Sequence, residues 1–137
     1  MKIIIIDGMS GAGKTTVKKM LGMHYLSDAL LMDRFTASSW MYDKIRGVDR
    51  SIEIIEFEKT FEQIYMPYNI LLTCDETVAL DRCTNRERLP IYKSLQEKVA
   101  MLWYNKYVCQ YKNTKLIDTT DYSLVEVFEI IKNYIGA

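Results

Sequence analysis

The sequence predicts an α/β fold, a doubly wound parallel sheet of about four strands flanked by helices. Three observations predict it. Lys2 to Asp7 is a β-branched run without polar alternation, the pattern of a central strand covered on both faces. A glycine-rich segment, Gly8 to Thr15, follows directly and opens a helical pattern. Further short apolar runs then alternate with helical stretches, each connection long enough for a crossover. The 137 residues, 49% of them hydrophobic, supply one ordinary core, so a single domain over 1–137 is expected.

The first helix is expected from Lys14 to His24, where Val17, Met20 and Leu21 fall at helical spacing. Ala29 to Met32 reads as the second strand and delivers Asp33 and Arg34 to its carboxyl end, with a loop from Thr36. Helices follow from Ser39 to Arg46 and from Arg50 to Met66, the second with Ile54, Phe57, Phe61, Ile64 and Tyr65 on one face and Pro67 as its stop. Asn69 to Cys74 is the third strand. Asp75 is the expected N-cap of a helix running through Arg82 toward Arg86. The charged stretch Asn85 to Arg88 ends at Pro90. A long amphipathic helix with Leu95, Val99, Leu102 and Trp103 comes next, and the spacing of its apolar residues assigns Trp103, Tyr104 and Tyr107 to core packing. Lys115 to Ile117 is the last strand, and Ser123 to Ile135 the closing helix, with Leu124, Val127, Phe128, Ile131 and Ile135 in register ahead of Gly136.

Composition removes several function classes. Lys plus Arg and Asp plus Glu both number 18, so no global field draws in a nucleic-acid duplex. Three cysteines, Cys74, Cys83 and Cys109, form no C-x-x-C pair and read as reduced thiols. The longest N-terminal apolar run, Ile3 to Ile6, is far too short for a membrane span or a signal-peptide core. A cytoplasmic protein without membrane association is expected.

The segment Gly8-Met9-Ser10-Gly11-Ala12-Gly13-Lys14-Thr15, continued by Thr16, meets the pattern G-x-x-x-x-G-K-[ST] of a phosphate-binding loop, the P-loop. Its glycines let backbone N–H groups turn inward as an anion nest at a helix N-terminus. Lys14 then reaches the β- and γ-phosphates of ATP, and the Thr15 hydroxyl joins the shell of Mg2+. The position between a strand and a helix is the confirming context. A P-loop alone leaves kinase, NTPase and switch open.

In an open α/β sheet the ligand lies beyond the carboxyl ends of the strands, so Asp33 and Arg34 are expected to face the loop. There Asp33 can hold Mg2+ directly or through water, and Arg34 can offset phosphate charge. Arg82 and Arg86 share a helical face, with Arg88 just beyond. The three are the expected catalytic arginines of a small lid around 82–92 that closes on the transferred phosphoryl group. Asp81, Glu87 and Glu97 are available to neutralise them. His24 is read as a surface or packing residue. Phe35 and Trp40 border the expected acceptor pocket as candidates for base stacking.

The run Asp33-Arg34-Phe35-Thr36-Ala37-Ser38-Ser39-Trp40-Met41-Tyr42-Asp43 resembles the D-R-Y-x-x-S-S-x-A-Y-Q segment of thymidylate kinases. Asp7-Gly8 is similar to the opening of that family's P-loop, Ala79-Leu80-Asp81-Arg82 with Arg86 to its lid, and Leu116-Ile117-Asp118-Thr119 to its final strand. The resemblance implies transfer of the ATP γ-phosphoryl group to a dTMP-like deoxynucleoside monophosphate. Asp33 would lie near Mg2+ and Arg34 on the acceptor phosphate. Phe35, Ser38, Ser39, Trp40, Tyr42 and Asp43 would line the acceptor site, with Tyr42 beside the sugar.

The family's Gln is Asp43 here, its Ala is Met41, and Tyr25 to Leu31 leaves no room for the strand and helices that normally precede the D-R strand. That part supplies base contacts, the dimer contact and the carboxylate that related deoxynucleoside kinases use as a base. The acceptor base and a homodimer therefore stay open. A nucleoside or nucleic-acid end as acceptor, and a non-catalytic nucleotide-binding module, stand as the alternatives.

Overall fold

The computed structural model of the chain describes residues 1–82 and 91–136. Strand β1, Lys2–Gly8, leads into helix α1, Lys14–Tyr25, and a 3-10 turn delivers the chain to β2, Ala29–Asp33. Helices α2, Thr36–Arg46, and α3, Ser51–Tyr65, precede β3, Tyr68–Thr73. Helices α4, Glu76–Arg82, and α5, Ile91–Tyr107, are followed by β4, Thr114–Asp118, and α6, Leu124–Ile135. No described helix is long and apolar enough to cross a membrane.

The strands form one parallel sheet in the order β2-β1-β3-β4, flanked by helices as expected. All four carboxyl ends share an edge: Ile6 stands opposite Asp33, Gly8 opposite Leu72 and Thr73 opposite Asp118. The chain leaves β1 on one side and returns on the other, and ligands of open α/β sheets bind at such a reversal.

Alternate strand residues feed two cores. On one face Ile4, Ile6, Ile70 and Leu72 meet Val17 and Leu21 of α1 and Val127, Ile131 and Ile135 of α6. On the other, Leu71 and Leu116 meet Trp40 and Met41 of α2, Ile54 of α3 and Met101 and Tyr104 of α5. Cover on both faces explains the uninterrupted apolar sequence of β1. Local signals fix the helix starts. The Asp75 carboxylate accepts the Thr77 N–H at 2.9 Å, as an N-cap does. Ser123 and Glu126 close a reciprocal capping box ahead of α6. His24 packs edge-on against Tyr25 and Phe128.

Three expectations are corrected. Helix α2 starts at Thr36 rather than Ser39, because the buried Asp7 carboxylate of β1 accepts the Phe35 N–H at 3.0 Å and the Ser38 hydroxyl at 2.6 Å. That start signal is tertiary and leaves no mark near residue 36. Helix α5 turns its other side inward: Ser94, Glu97, Met101, Tyr104 and Val108 are buried, whereas Leu95, Val99, Leu102, Trp103 and Tyr107 are exposed. Helix α3 likewise buries Ile54 and Glu58 and leaves Phe57, Ile64 and Tyr65 outside.

Polar anchors set both helix rotations. Glu58 Oε1 accepts the Tyr104 hydroxyl at 3.0 Å and lies 3.1 Å from Lys112 Nζ, and Lys112 also reaches the Tyr104 oxygen. Thr36 Oγ1 stands 3.0 Å from the same hydroxyl. Burial raises the Tyr104 phenol well above its ordinary pKa, so it stays protonated and donates.

Candidate active site

Between β1 and α1 the glycine-rich segment folds as a P-loop fastened on several sides. The Met9 N–H donates to the Leu72 carbonyl at 3.1 Å. The Ala12 carbonyl accepts the Thr119 hydroxyl at 3.0 Å. Gly11 takes φ +82° against the backbone of α4, where a Cβ would fall 2.4 Å from the Ala79 oxygen. Only glycine fits that combination of left-handed backbone and close approach. The Ser10 N–H donates to Glu97 Oε1 of α5 at 2.9 Å. Gly13 caps α1, whose N-terminus opens on a cleft of about 610 Å³. Met9, Ser10, Gly11, Gly13, Lys14, Thr15, Thr16, Arg34 and Arg82 all line it, so loop, second strand end and first lid arginine meet in one place.

Lys14 is buried, with its ammonium 3.3 Å from Asp33 Oδ1. Beyond this ion pair it makes no aligned hydrogen bond among the described residues, which leaves donors available on the cleft it lines. Burial, then the nearby Arg34 charge, lower its pKa, while Asp33 acts in the opposite direction. On Asp33 burial opposes ionisation, but Lys14 together with Lys18 outweighs it and holds the carboxyl below its usual range. Lys18 lies one helical turn beyond Lys14 and donates to Asp33 Oδ2 at 3.3 Å. The sequence reading passed it over, although spacing of four on a helix starting at a P-loop lysine is a legible signal.

Arg34 adopts φ +68°, the left-handed region that side chains avoid. Its N–H donates to the Ile6 carbonyl at 3.0 Å, and its guanidinium donates to the Tyr42 hydroxyl at 3.0 Å. The surroundings thus force a strained backbone that turns the arginine toward the cleft, a pattern found at functional sites.

A shallower recess of about 550 Å³ adjoins it, lined by Arg34, Phe35, Thr36, Ser38, Ser39, Tyr42 and Phe57. The expected acceptor residues divide there. Phe35, Ser39 and Tyr42 reach the recess. Ser38 is 4% exposed, and its hydroxyl is committed to Asp7. Trp40 is buried in the core against Tyr104, which corrects its expected role in base stacking. Asp43 is buried too: it pairs with Arg50 at 2.7 Å and ties α2 to α3, which corrects its placement in the acceptor site. Phe57 is an addition. Its ring stands 5.6 Å from that of Phe35 and stacks on Phe61, forming an aromatic wall from two helices that the sequence does not show to be neighbours.

Arg82 does not hang free. Its guanidinium donates to the Thr119 hydroxyl and carbonyl, each at 2.9 Å, and it borders the cleft opposite Tyr122, Ser123 and Leu124. The expected lid from 83 on, with Arg86 and Arg88, lies outside the described residues.

The donor set fits a hard cation held together with phosphates. Thr15 is exposed at the start of α1, and the Asp33 carboxylate stands beside Lys14 and Lys18, already balanced by positive charge. Mg2+ is commonly bound through one or two such oxygens plus phosphate.

No family model and no curated protein sequence matches the chain. Solved structures do. Deoxyadenosine kinase from M. mycoides with bound dCTP aligns at TM-score 0.69 and 13% identity, over 99% of this chain and 99% of that one. The same kinase with bound dATP aligns at 0.66 and 16%, over 100% of each. An uncharacterized protein from Eubacterium ventriosum ATCC 27560 aligns at 0.55 and 14%, over 100% of this chain and 99% of that one. The likeness is one of fold, and it places the chain among P-loop α/β folds.

Proposed function

We propose that this chain is an ATP- and Mg2+-dependent phosphotransferase whose acceptor is a deoxynucleoside. The observation that carries the reading is the 3.3 Å contact of Lys14 with Asp33 where Lys14 and Arg34 line one cleft, with an aromatic-walled recess beside it. A P-loop that only bound nucleotide would need no second charged strand end. The fold shared with deoxyadenosine kinases supports the choice of acceptor.

In the reaction the acceptor oxygen bonds to the γ-phosphorus as the bond to the β-bridging oxygen breaks, and charge spreads over three equatorial oxygens. The N–H groups at the start of α1, from residue 13 to residue 16, hold the β- and γ-phosphates, and Lys14 follows the moving charge. Arg34, fixed by Tyr42, neutralises it from the acceptor side. Thr15 would hold Mg2+, with Asp33 reaching it only through water, and the ion would supply neutralisation of phosphate charge. A sugar hydroxyl must release a proton, and Asp33 is the carboxylate placed to receive it. Held below its usual range, it is a weak base, as suits a loose transition state in which the proton leaves late. Phe35 and Phe57 form one wall against the base, and Arg82 with Tyr122 borders the donor nucleotide.

A second reading keeps the machinery and makes the acceptor a deoxynucleoside monophosphate. The thymidylate-kinase-like segment favours it, as does the exposed Arg34 guanidinium, suited to a phosphate. The test is incubation with ATP, Mg2+ and each of the four deoxynucleosides, their monophosphates or an oligonucleotide, following ADP and phosphorylated product. Transfer to a deoxynucleoside is expected. Transfer to monophosphates alone establishes the second reading, and ATP binding without transfer to any acceptor would reduce the chain to a binding module.

A further inference from the structure

Glu97 is the charged group that the reaction leaves unused. It is 4% exposed on α5, and among the described residues it forms no ion pair. Its Oε1 accepts the Ser10 backbone N–H at 2.9 Å, and its Oε2 lies 3.5 Å from the Ser10 hydroxyl. Both carboxylate oxygens thus face Ser10, and the 2.9 Å bond to its backbone holds α5 to the loop.

Ser10 sits at the crown of the loop, between two anchored residues. Before it, Met9 is pinned to β3 through the Leu72 carbonyl, and its sulfur accepts the Cys74 N–H at 3.4 Å. After it, Gly11 rests on the backbone of α4. Ser10, through its amide and its hydroxyl, is where α5 grips the loop with hydrogen bonds among the described residues. The next residue of the helix, Lys98, reaches Glu76 of α4 at 3.8 Å, so α5 is itself braced where it makes that grip.

We infer that Glu97 is a positioning residue for the phosphate loop: by accepting the Ser10 amide it sets the crown of the loop in its nucleotide-binding shape before nucleotide arrives. The inference rests on the reading that this loop binds ATP. It acts through a hydrogen-bond acceptor at a fixed distance, so glutamine, which keeps an acceptor oxygen at the same reach, replaces it. Leucine removes the acceptor. Aspartate keeps the charge but withdraws it by one methylene.

The test uses the full chain with Glu97→Leu, Glu97→Gln and Glu97→Asp. Mg·ATP affinity is measured by calorimetry, exchange of the Ser10 amide by NMR, and the melting temperature alongside. In Glu97→Leu and Glu97→Asp the ATP Kd is expected to rise about tenfold and the Ser10 amide of the free protein to exchange faster, as loss of that hydrogen bond requires. Glu97→Gln should stay within about twofold of wild type on the same scale. A purely structural glutamate would shift the melting temperature and leave the ATP Kd of the folded fraction alone. Wild-type affinity and Ser10 protection in Glu97→Asp would overturn the inference, and so would a Glu97→Gln as impaired as the leucine variant. If the leucine variant does not fold, the other two carry the test. If wild type itself fails to bind ATP, the functional reading fails, and Ser10 exchange in the free variants still decides what Glu97 holds.

Discussion

Adding one methyl group at Gly11 separates the local cost of a left-handed residue from the cost of moving the loop. Gly11 and Gly47 share nearly the same backbone, φ +82° and +75°, but a Cβ at Gly47 meets nothing within 4 Å. Alanine at Gly47 should therefore cost only the backbone strain, about 1 kcal/mol, and a few degrees of melting temperature. At Gly11 the added carbon falls 2.4, 2.8 and 2.9 Å from the oxygen, Cα and carbonyl carbon of Ala79, all backbone atoms of α4. Such atoms cannot swing aside, so the loop must shift by roughly 0.6–1 Å, and a displacement of that size near reacting groups costs about 10²-fold in rate. The expected outcome is a Gly11→Ala variant with kcat/KM for ATP about 10²-fold down, beside a Gly47→Ala variant with wild-type turnover. Steady-state kinetics with ADP detection, paired with thermal melts, makes the comparison. Turnover of Gly11→Ala within about threefold of wild type, at a stability loss equal to that of Gly47→Ala, would refute the view that the loop's position is set by its contact with α4.

Lys14→Ala should lower turnover by at least about 10³-fold while leaving the fold intact, measured by product formation and circular dichroism. Phe57→Ala should raise the acceptor KM about fivefold and leave the ATP KM unchanged, since a half-exposed ring contributes toward the low end of base stacking. Lys112→Met strands the Glu58 carboxylate, which is 1% exposed, and should cost about 3–5 kcal/mol in denaturant unfolding, with much of it recovered by adding Glu58→Gln. The hydrogen bond from Arg50 lowers the Asp43 pKa below 3.8 in the folded chain, so the pair's contribution is complete above that value and is lost as the pH falls through the folded pKa. Asp43→Asn should accordingly melt below wild type at neutral pH, and the gap should close in strong acid.

Much of this molecule was legible because its signals are local. The P-loop, the apolar first strand, the Asp75 cap, the closing helix and the position of Asp33-Arg34 at a strand end each depend on residues close in sequence, and each stands where the sequence placed it. Parallel pairing followed from strands separated by helical stretches, since such connections permit little else.

The tertiary structure decided what periodicity leaves degenerate. Helix α5 carries apolar residues on two sides, at 95, 99 and 102 and again at 101, 104 and 108, and both spacings satisfy a helical stripe. The inward side is the one whose polar atoms find partners: the Tyr104 hydroxyl reaches Glu58 and Thr36, and Glu97 reaches Ser10. Those partners lie 46, 68 and 87 positions away in the chain. The same cause kept Trp40 and Asp43 out of the recess beside the cleft and brought Phe57 into its lining. By itself the sequence determined where the glycine-rich loop forms, because a turn of amides at a helix start is built from one short segment. Which side chains surround that loop was decided only when distant helices met, because a buried polar group takes whichever partner the packing brings within hydrogen-bond reach.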